Sequence, residues 1–293
     1  MRATVLQRSI HRRRDWANVS RCMKLLVLAG TSEARELCQL LANCSKVEAT
    51  ASLAGAVRKF RPYPFPVRIG GFGGACGLRR FLASNRIDVL IDATHPFAAV
   101  ISRNAVLATE NGEAILLRLE RRQWQAGPED RWIDCANERE AFDRVPAGAK
   151  VFAALGSGFL VGERTRRPMG AHCGVVYVRA FDTLRLEAAP DNFVVLSAPF
   201  APNESSELEF MRDRRISHLI CRNSGGHVGR AKLNAAAALG VTVLMIRQPA
   251  LPQALSDSQT VFGEASQVFQ HILELEHQAV SASAVQEVAE RDH

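Results

Sequence analysis

The sequence predicts an α/β protein made of two parallel-sheet domains with a cleft between them. Short apolar runs such as Lys24-Leu25-Leu26-Val27-Leu28-Ala29 and Val89-Leu90-Ile91 read as strands buried on both faces. Each is followed by a turn rich in Gly, Ser, Thr or Asp and then by a helical stretch, the rhythm of βαβ units. That rhythm runs twice along a chain of 293 residues with 47% hydrophobic content, enough for one large or two modest domains. The predicted divisions are a disordered basic extension over 1–22, a first domain over 23–120, a second over 121–254, and a helical or disordered tail over 255–293.

The first strand, Lys24–Ala29, leads into Gly30-Thr31-Ser32-Glu33-Ala34-Arg35 and a helix carrying Leu37, Leu40 and Leu41. Thr31 or Ser32 can cap that helix, and Glu33 suits its first turn. Unpaired N–H groups at such a terminus make a ready anion site. The loop lacks the three glycines of a dinucleotide fingerprint, so alone it is weak support for one. The second strand, Val47–Leu53, ends at Gly55-Ala56-Val57-Arg58-Lys59-Phe60-Arg61. Doubly wound sheets read the adenosine ribose there, with an acid for a free 2′-hydroxyl. A basic segment without an acid favours a 2′-phosphate, hence NADP, with Arg58 and Lys59 as contacts; a solvated basic loop is the alternative. After the strand Val67–Ile69, Gly70-Gly71-Phe72-Gly73-Gly74 permits close backbone approach to a ligand, or serves as a tight loop before a helix around Leu78–Leu82.

The stretch Asp88-Val89-Leu90-Ile91-Asp92-Ala93-Thr94-His95-Pro96-Phe97-Ala98-Ala99 is the most informative. A buried strand turns abruptly polar, and Pro96 suits the first turn of a helix with Phe97, Val100, Ile101 and Ala105 on its apolar face. Carboxylate, hydroxyl and imidazole then stand at the carboxyl edge of the sheet, where open α/β sheets bind ligands. Asp92 or Thr94 as a plain helix cap is the simpler reading. In a doubly wound order the first strand lies beside the fourth, so this edge would face Gly30–Ser32 across one crevice. His95 is the best-placed titratable group for donating a proton, since imidazole titrates near neutrality; a structural histidine and a solvent proton are the alternatives.

Past the strand Ala114–Leu119, Arg118, Arg121 and Arg122 cluster with Trp124 at the join between the halves, suiting a large acidic planar ligand or a hinge packed on a tryptophan. The second half offers strands Lys150–Leu155, Gly174–Arg179, Asn192–Leu196, Ser217–Cys221 and Val241–Ile246, and a helix through Arg212 capped by Asn203. Arg222-Asn223-Ser224-Gly225-Gly226-His227 again sets donors and glycines at a strand end, followed by a helix carrying Lys232. A helix is predicted over Val261–His277.

Net charge is +7, with +5 in residues 1–22, −6 from Gln253 onward and about +8 between. A basic body suits an anionic ligand; nucleic acid is disfavoured, because no aromatic-interleaved basic patch or zinc spacing is present. Seven scattered cysteines without Cys-x-x-Cys spacing read as reduced thiols in a cytoplasmic protein. No run reaches the roughly 18 apolar residues of a membrane span. The arginine-rich start lacks a secretory apolar segment, and Met23, directly before the first strand, is the expected natural beginning.

The runs Leu28-Ala29-Gly30-Thr31-Ser32-Glu33-Ala34-Arg35, Ile69-Gly70-Gly71-Phe72-Gly73-Gly74, Ile91-Asp92-Ala93-Thr94-His95-Pro96-Phe97-Ala98, Arg222-Asn223-Ser224-Gly225-Gly226 and Lys232-Leu233 occur in the order and spacing of one family. Over about Met23–Pro252 the chain resembles the precorrin-6A reductases of cobalamin biosynthesis (the CobK/CbiJ family). The resemblance implies two Rossmann-like domains. It also implies NADPH as cofactor, and reduction of the C18=C19 bond of precorrin-6A or its cobalt form, with hydride to C19 and a proton to C18. The implied substrate bears many carboxylates. Gly30, Thr31, Ser32, Glu33, Arg35, Arg58, Lys59, Gly71 and Thr94 are the expected cofactor contacts, and Arg118, Arg121, Arg122, Arg222, Asn223, Ser224, Gly225 and Lys232 the expected substrate contacts, with His95 as the catalytic candidate and no metal. The chain departs from the family pattern at Ala56 after Gly55, at Arg121-Arg122-Gln123-Trp124 where the family has Arg-Pro-x-Trp, and at Arg222 in place of a lysine. A non-catalytic tetrapyrrole-binding protein is the alternative function, and a monomer or small homo-oligomer is expected.

Overall fold

The computed structural model describes residues 22–55, 62–112, 114–156, 169–180, 190–197, 203–227, 229–256 and 260–291. Arg58, Lys59 and nearly all of the basic extension lie outside the described residues. Two six-stranded sheets organise the chain, with parallel pairing throughout.

The first sheet contains β1 (Met23–Leu28), β2 (Val47–Leu53), β3 (Val67–Ile69), β4 (Val89–Asp92) and β5 (Ile115–Leu119). Between them lie α1 (Ser32–Leu41), α2 (Gly74–Ser84) and α3 (Ala99–Thr109). The second contains β6 (Arg131–Cys135), β7 (Lys150–Ala154), β8 (Val175–Ala180), β9 (Phe193–Ser197), β10 (His218–Arg222) and β11 (Thr242–Ile246). Its helices are α4 (Glu138–Asp143), α5 (Glu204–Asp213) and α6 (Ala231–Ala238). The chain ends with α7 (Gln253–Ser256), β12 (Val261–Phe262) and α8 (Ala265–Arg291).

Strand order in the first sheet is β12-β5-β4-β1-β2-β3, and in the second β6-β11-β10-β7-β8-β9. Both are the doubly wound order, with β1 beside β4 and β7 beside β10 at the switch points. The outermost place next to β5 is filled by β12, whereas β6, the next strand in sequence, flanks β11. Accordingly the chain forms one compact unit up to Arg121 and again from Pro249, and a second over Arg122–Gln248.

Alternation along β1 and β4 builds the first unit's core in layers. Leu25, Val27, Val89 and Ile91 join Leu37 and Leu41 of α1 and Val268, Ile272 and Leu275 of α8. Leu26, Leu28 and Leu90 face the other way, onto Leu78, Leu82, Ala105 and Ala108 of α2 and α3. Burial on both faces is why these strands read as unbroken apolar runs. In the second unit Leu219, Cys221, Val243 and Met245 pack with Leu233, Ala236 and Trp124. Among the described residues no helix is long and apolar enough to cross a membrane.

Within the expected tail over 255–293, β12 pairs with β5 and α8 lies against α1, inside the first unit. Three expectations are corrected. Val261–Phe262 is strand, and the helix begins at Ala265. The helix after β4 starts at Ala99 rather than at Pro96, leaving Val100 77% exposed instead of on an apolar face. Neither Asp92 nor Thr94 caps it, and its N-cap Ala98 makes no side-chain cap bond. Asn203 does cap α5, accepting the Ser206 N–H at 2.8 Å.

Candidate functional site: the carboxyl edge of the first sheet

Gly30 closes β1 at φ +120°, a left-handed conformation that only glycine adopts without strain, and a Cβ there would meet nothing within 4 Å. The chain therefore turns into α1 under open space. Thr31 is the N-cap: its hydroxyl accepts the Ala34 N–H at 3.0 Å. The same hydroxyl donates to the Ala93 carbonyl at 2.9 Å. One side chain thus ties the turn after β1 to the end of β4, and the two loops converge. Helix N-terminal N–H groups lack a carbonyl four residues back. Thr31 takes up that of Ala34, and those of Ser32 and Glu33 head the helix as donors.

Asp92 is fully buried and works as a hub. Its Oδ1 accepts the Thr94 hydroxyl at 2.6 Å and the Thr94 N–H at 3.1 Å. The Arg118 guanidinium sits 2.8 Å from the same oxygen. Arg118 is 1% exposed and is also bound by Glu120 at 2.6 Å. Arg118, expected at the substrate, is thus paired with two carboxylates inside the fold. Arg121 pairs with Glu33 at 2.7 Å, both nearly buried, and Ser32 Oγ donates to that carboxylate at 2.8 Å. Burial pulls the Arg121 guanidinium below its ordinary value, against Glu33 and Glu120, and burial pushes Glu120 up despite Arg118. Thr94 and His95 stay partly exposed. His95 Nδ1 accepts the Phe97 N–H at 3.2 Å, and its ring tilts against Phe97 at 5.8 Å.

Further along this edge Arg35 lies 4.2 Å over the Tyr63 ring and donates to the Pro62 carbonyl at 3.2 Å. Arg68 of β3 stacks 3.9 Å over Phe72 and donates to the carbonyls of Gly70 and, at 2.7 Å, Gly71. Gly71 is exposed and Gly70 half-buried, and a Cβ on Gly70, Gly71, Gly73 or Gly74 would enter open space.

The remaining candidates sit in the second unit. Asn223 is buried and clasps Trp124, accepting its N–H at 2.9 Å and donating to its carbonyl at 3.0 Å. The Trp124 indole donates to Gly226 O at 2.6 Å. Lys232 is partly buried, donates to Gly229 O at 2.9 Å and lies 4.9 Å over the Trp124 ring; burial lowers its ammonium from the ordinary lysine range. Arg222 holds Glu138 through two nitrogens at 2.7 and 3.0 Å. The Ser224 N–H donates to Arg222 O at 2.8 Å, and Gly225 takes φ +66°. Arg122 is exposed, its carbonyl 3.4 Å from the Gly226 N–H.

The structure therefore gathers Gly30, Thr31, Ser32, Glu33, Thr94, Arg118 and Arg121 at one edge, and Arg122, Arg222, Asn223, Ser224, Gly225 and Lys232 in the other unit. Glu120, Ser102, Arg68 and Glu138 were not singled out from the sequence. Arg118-x-Glu120 carried a readable signal, since strand positions two apart share a face.

Two doubly wound parallel sheets, the first with an open, glycine-lined carboxyl edge, define a two-unit α/β protein. The profile of the family described as Precorrin-6x reductase CbiJ/CobK matches residues 24–272, and the chain belongs to that family. It is 39% identical over 246 residues to the "Precorrin-6A reductase" of Rhodococcus erythropolis, covering 82% of this chain and 95% of that one. It is 26% identical over 275 residues to the "Cobalt-precorrin-6A reductase" of Methanothermobacter thermautotrophicus, covering 86% and 84%. The solved structure "CobK precorrin-6A reductase" superposes with a TM-score of 0.77 at 32% identity, over 86% of this chain and 97% of that one.

Proposed function

We propose that the protein is an NADPH-dependent reductase of precorrin-6A in cobalamin biosynthesis, acting at the C18=C19 bond. The observation that carries this reading is the Thr31–Ala93 hydrogen bond, which brings the turn after β1 against the end of β4 at a switch point. Three features of the chain support a dinucleotide at this edge. Gly30 opens onto free space; the α1 terminus offers the N–H groups of Ser32 and Glu33 to a pyrophosphate; and Arg121 neutralises the Glu33 carboxylate that would otherwise repel it. Arg35, and Arg58 and Lys59 after β2, are proposed to favour a 2′-phosphate, with Gly71 and Thr94 bordering the nicotinamide.

When bound, NADPH supplies a hydride, which with one proton from water balances the saturation of C18=C19. The chain's own task is positioning: the rigid edge holds donor and acceptor carbons together, a major source of rate in such transfers. Arg122 and Lys232 are proposed to meet substrate carboxylates, with Asn223, Ser224 and Gly225 shaping that surface around Trp124 and Arg222 braced by Glu138. Arg118 and Arg121 act from inside as counter-ions. Metal-free precorrin-6A is the proposed substrate, in keeping with the more similar relative's name.

His95 is assigned a hydrogen-bonding role. Its Nδ1 accepts the Phe97 N–H, which fixes the ring beside the turn. Loss of a true general acid costs about 10²–10⁴-fold in rate. His95→Ala is therefore expected to keep kcat within about tenfold of the parent in steady-state turnover. A loss of a thousandfold would restore His95 as the proton donor.

The reading is tested by anaerobic incubation with precorrin-6A and NADPH, following absorbance and product mass. One NADPH consumed per product bearing two added hydrogens is expected, with NADH a markedly poorer donor. Tight macrocycle binding without NADPH oxidation would favour the non-catalytic tetrapyrrole-binding alternative.

A further inference from the structure

Arg118 heads the fully buried side chains by size, an unusual place for a guanidinium. Its Nε donates to Glu120 Oε2 at 2.6 Å, and Nη2 lies 2.6 Å from the same carboxylate oxygen. Its Nη1 lies 2.8 Å from Asp92 Oδ1, 3.4 Å from Asp92 O, 3.3 Å from Thr94 Oγ1 and 3.5 Å from Ser102 Oγ. One side chain on β5 thus holds the end of β4, the turn after it and the first half of α3.

Stability alone does not account for this arrangement. Buried ion pairs are often no better than well-packed apolar residues of the same volume. What the arrangement does fix is the turn. α3 has no side-chain cap, and Thr94 is held by Asp92 Oδ1, which accepts its N–H and its hydroxyl, and by Arg118 Nη1, which donates to that hydroxyl oxygen. Asp92 Oδ2 is buried without a hydrogen-bond partner among the described residues, so the carboxylate's orientation depends on the oxygen that Arg118 grips.

We propose that Arg118 is a positioning residue for the reduction: acting through Asp92 and Thr94, it sets where the β4–α3 turn stands beside the reacting carbons. This rests on the function proposed above. Arg118 touches neither substrate nor cofactor, and its effect passes through Thr94.

The test is a double-mutant cycle on the full chain with Arg118→Lys, Thr94→Val and the pair. It reads kcat, KM for precorrin-6A, NADPH affinity by fluorescence, and melting temperature. A lysine keeps the charge but cannot reach Glu120 and Asp92 in the same fork. Displacements of about 1 Å at a positioned group cost up to about 10²-fold. Arg118→Lys is expected to lower kcat about 10–100-fold with little change in substrate KM, and Thr94→Val added to it is expected to cost no more. Glu276→Gln, which breaks a remote ion pair with Lys46, is the comparator that lowers melting temperature and leaves kcat alone. Wild-type kcat in folded Arg118→Lys, or multiplicative effects in the double variant, would overturn the proposal. If Arg118→Lys does not fold, Glu120→Gln replaces it in the same cycle with the same two outcomes. A parent enzyme that binds but never oxidises NADPH with substrate would remove the underlying function too; additivity in an active enzyme removes only this inference.

Discussion

Ending the chain at Gln248 is expected to leave the first unit unable to fold. The removed part includes Val268, Ile272 and Leu275, buried against α1 and the first sheet. Burying three such side chains contributes about 5–9 kcal/mol, comparable to the whole 5–15 kcal/mol net stability of a typical domain. Removal also strips β12 from β5, leaving the Arg118 and Glu120 N–H groups without the Thr260 and Phe262 carbonyls that accept them at 2.8 Å. An exposed edge beside a bared apolar face invites aggregation. A single change grades the effect: Ile272→Ala should cost about 2–5 kcal/mol in urea unfolding. A shortened chain that stays monomeric and melts cooperatively at the parent temperature would show that the last segment is dispensable.

Asp92→Ala is expected to be among the most damaging point changes outside the apolar core. It removes one of the two counter-ions of a buried guanidinium, and the acceptor of two hydrogen bonds from a half-buried threonine. Breaking a buried pair from one side costs about 3–5 kcal/mol, roughly 10 °C in melting temperature for a unit of this size. Asp92→Asn keeps an oxygen for Thr94 and should cost less. Glu48→Gln, whose pair with Lys24 lies 3.6 Å apart on the surface, should stay within about 0.5 kcal/mol. Equal melting temperatures for Asp92→Ala and Glu48→Gln would mean that the hub carries no stability. Activity adds a second readout, since Asp92→Ala should lose turnover even at temperatures where it stays folded.

Local signals were enough for much of the first sheet. β2 and β3 fall where apolar runs and turn residues put them, and Thr31 and Asn203 cap as short polar side chains before a helix should. Long-range pairing was not legible. β6 is half-exposed and carries Arg131 and Asp134, so no apolar run marks it; its place beside β11 is decided by a partner over a hundred residues away. The same holds for β12, only two residues long. At the site, residue types were recognised but their burial was not. An arginine is read as a surface cation by default, and Arg118, Arg121 and Arg222 each meet a carboxylate from a different segment or strand end. Helix α3 starts late because Pro96 and Phe97 are taken up in a turn closed by the Ala98 N–H donating to His95 O at 2.7 Å.

A crystal structure of the protein with NADPH tests most directly whether the turn after β1 and the end of β4 form one cofactor groove. The pyrophosphate is expected within hydrogen-bond reach of the Ser32 and Glu33 N–H groups, with the nicotinamide beside Thr94. NADPH seated instead at the carboxyl edge of the second sheet, with Gly30–Ser32 bare, would contradict it.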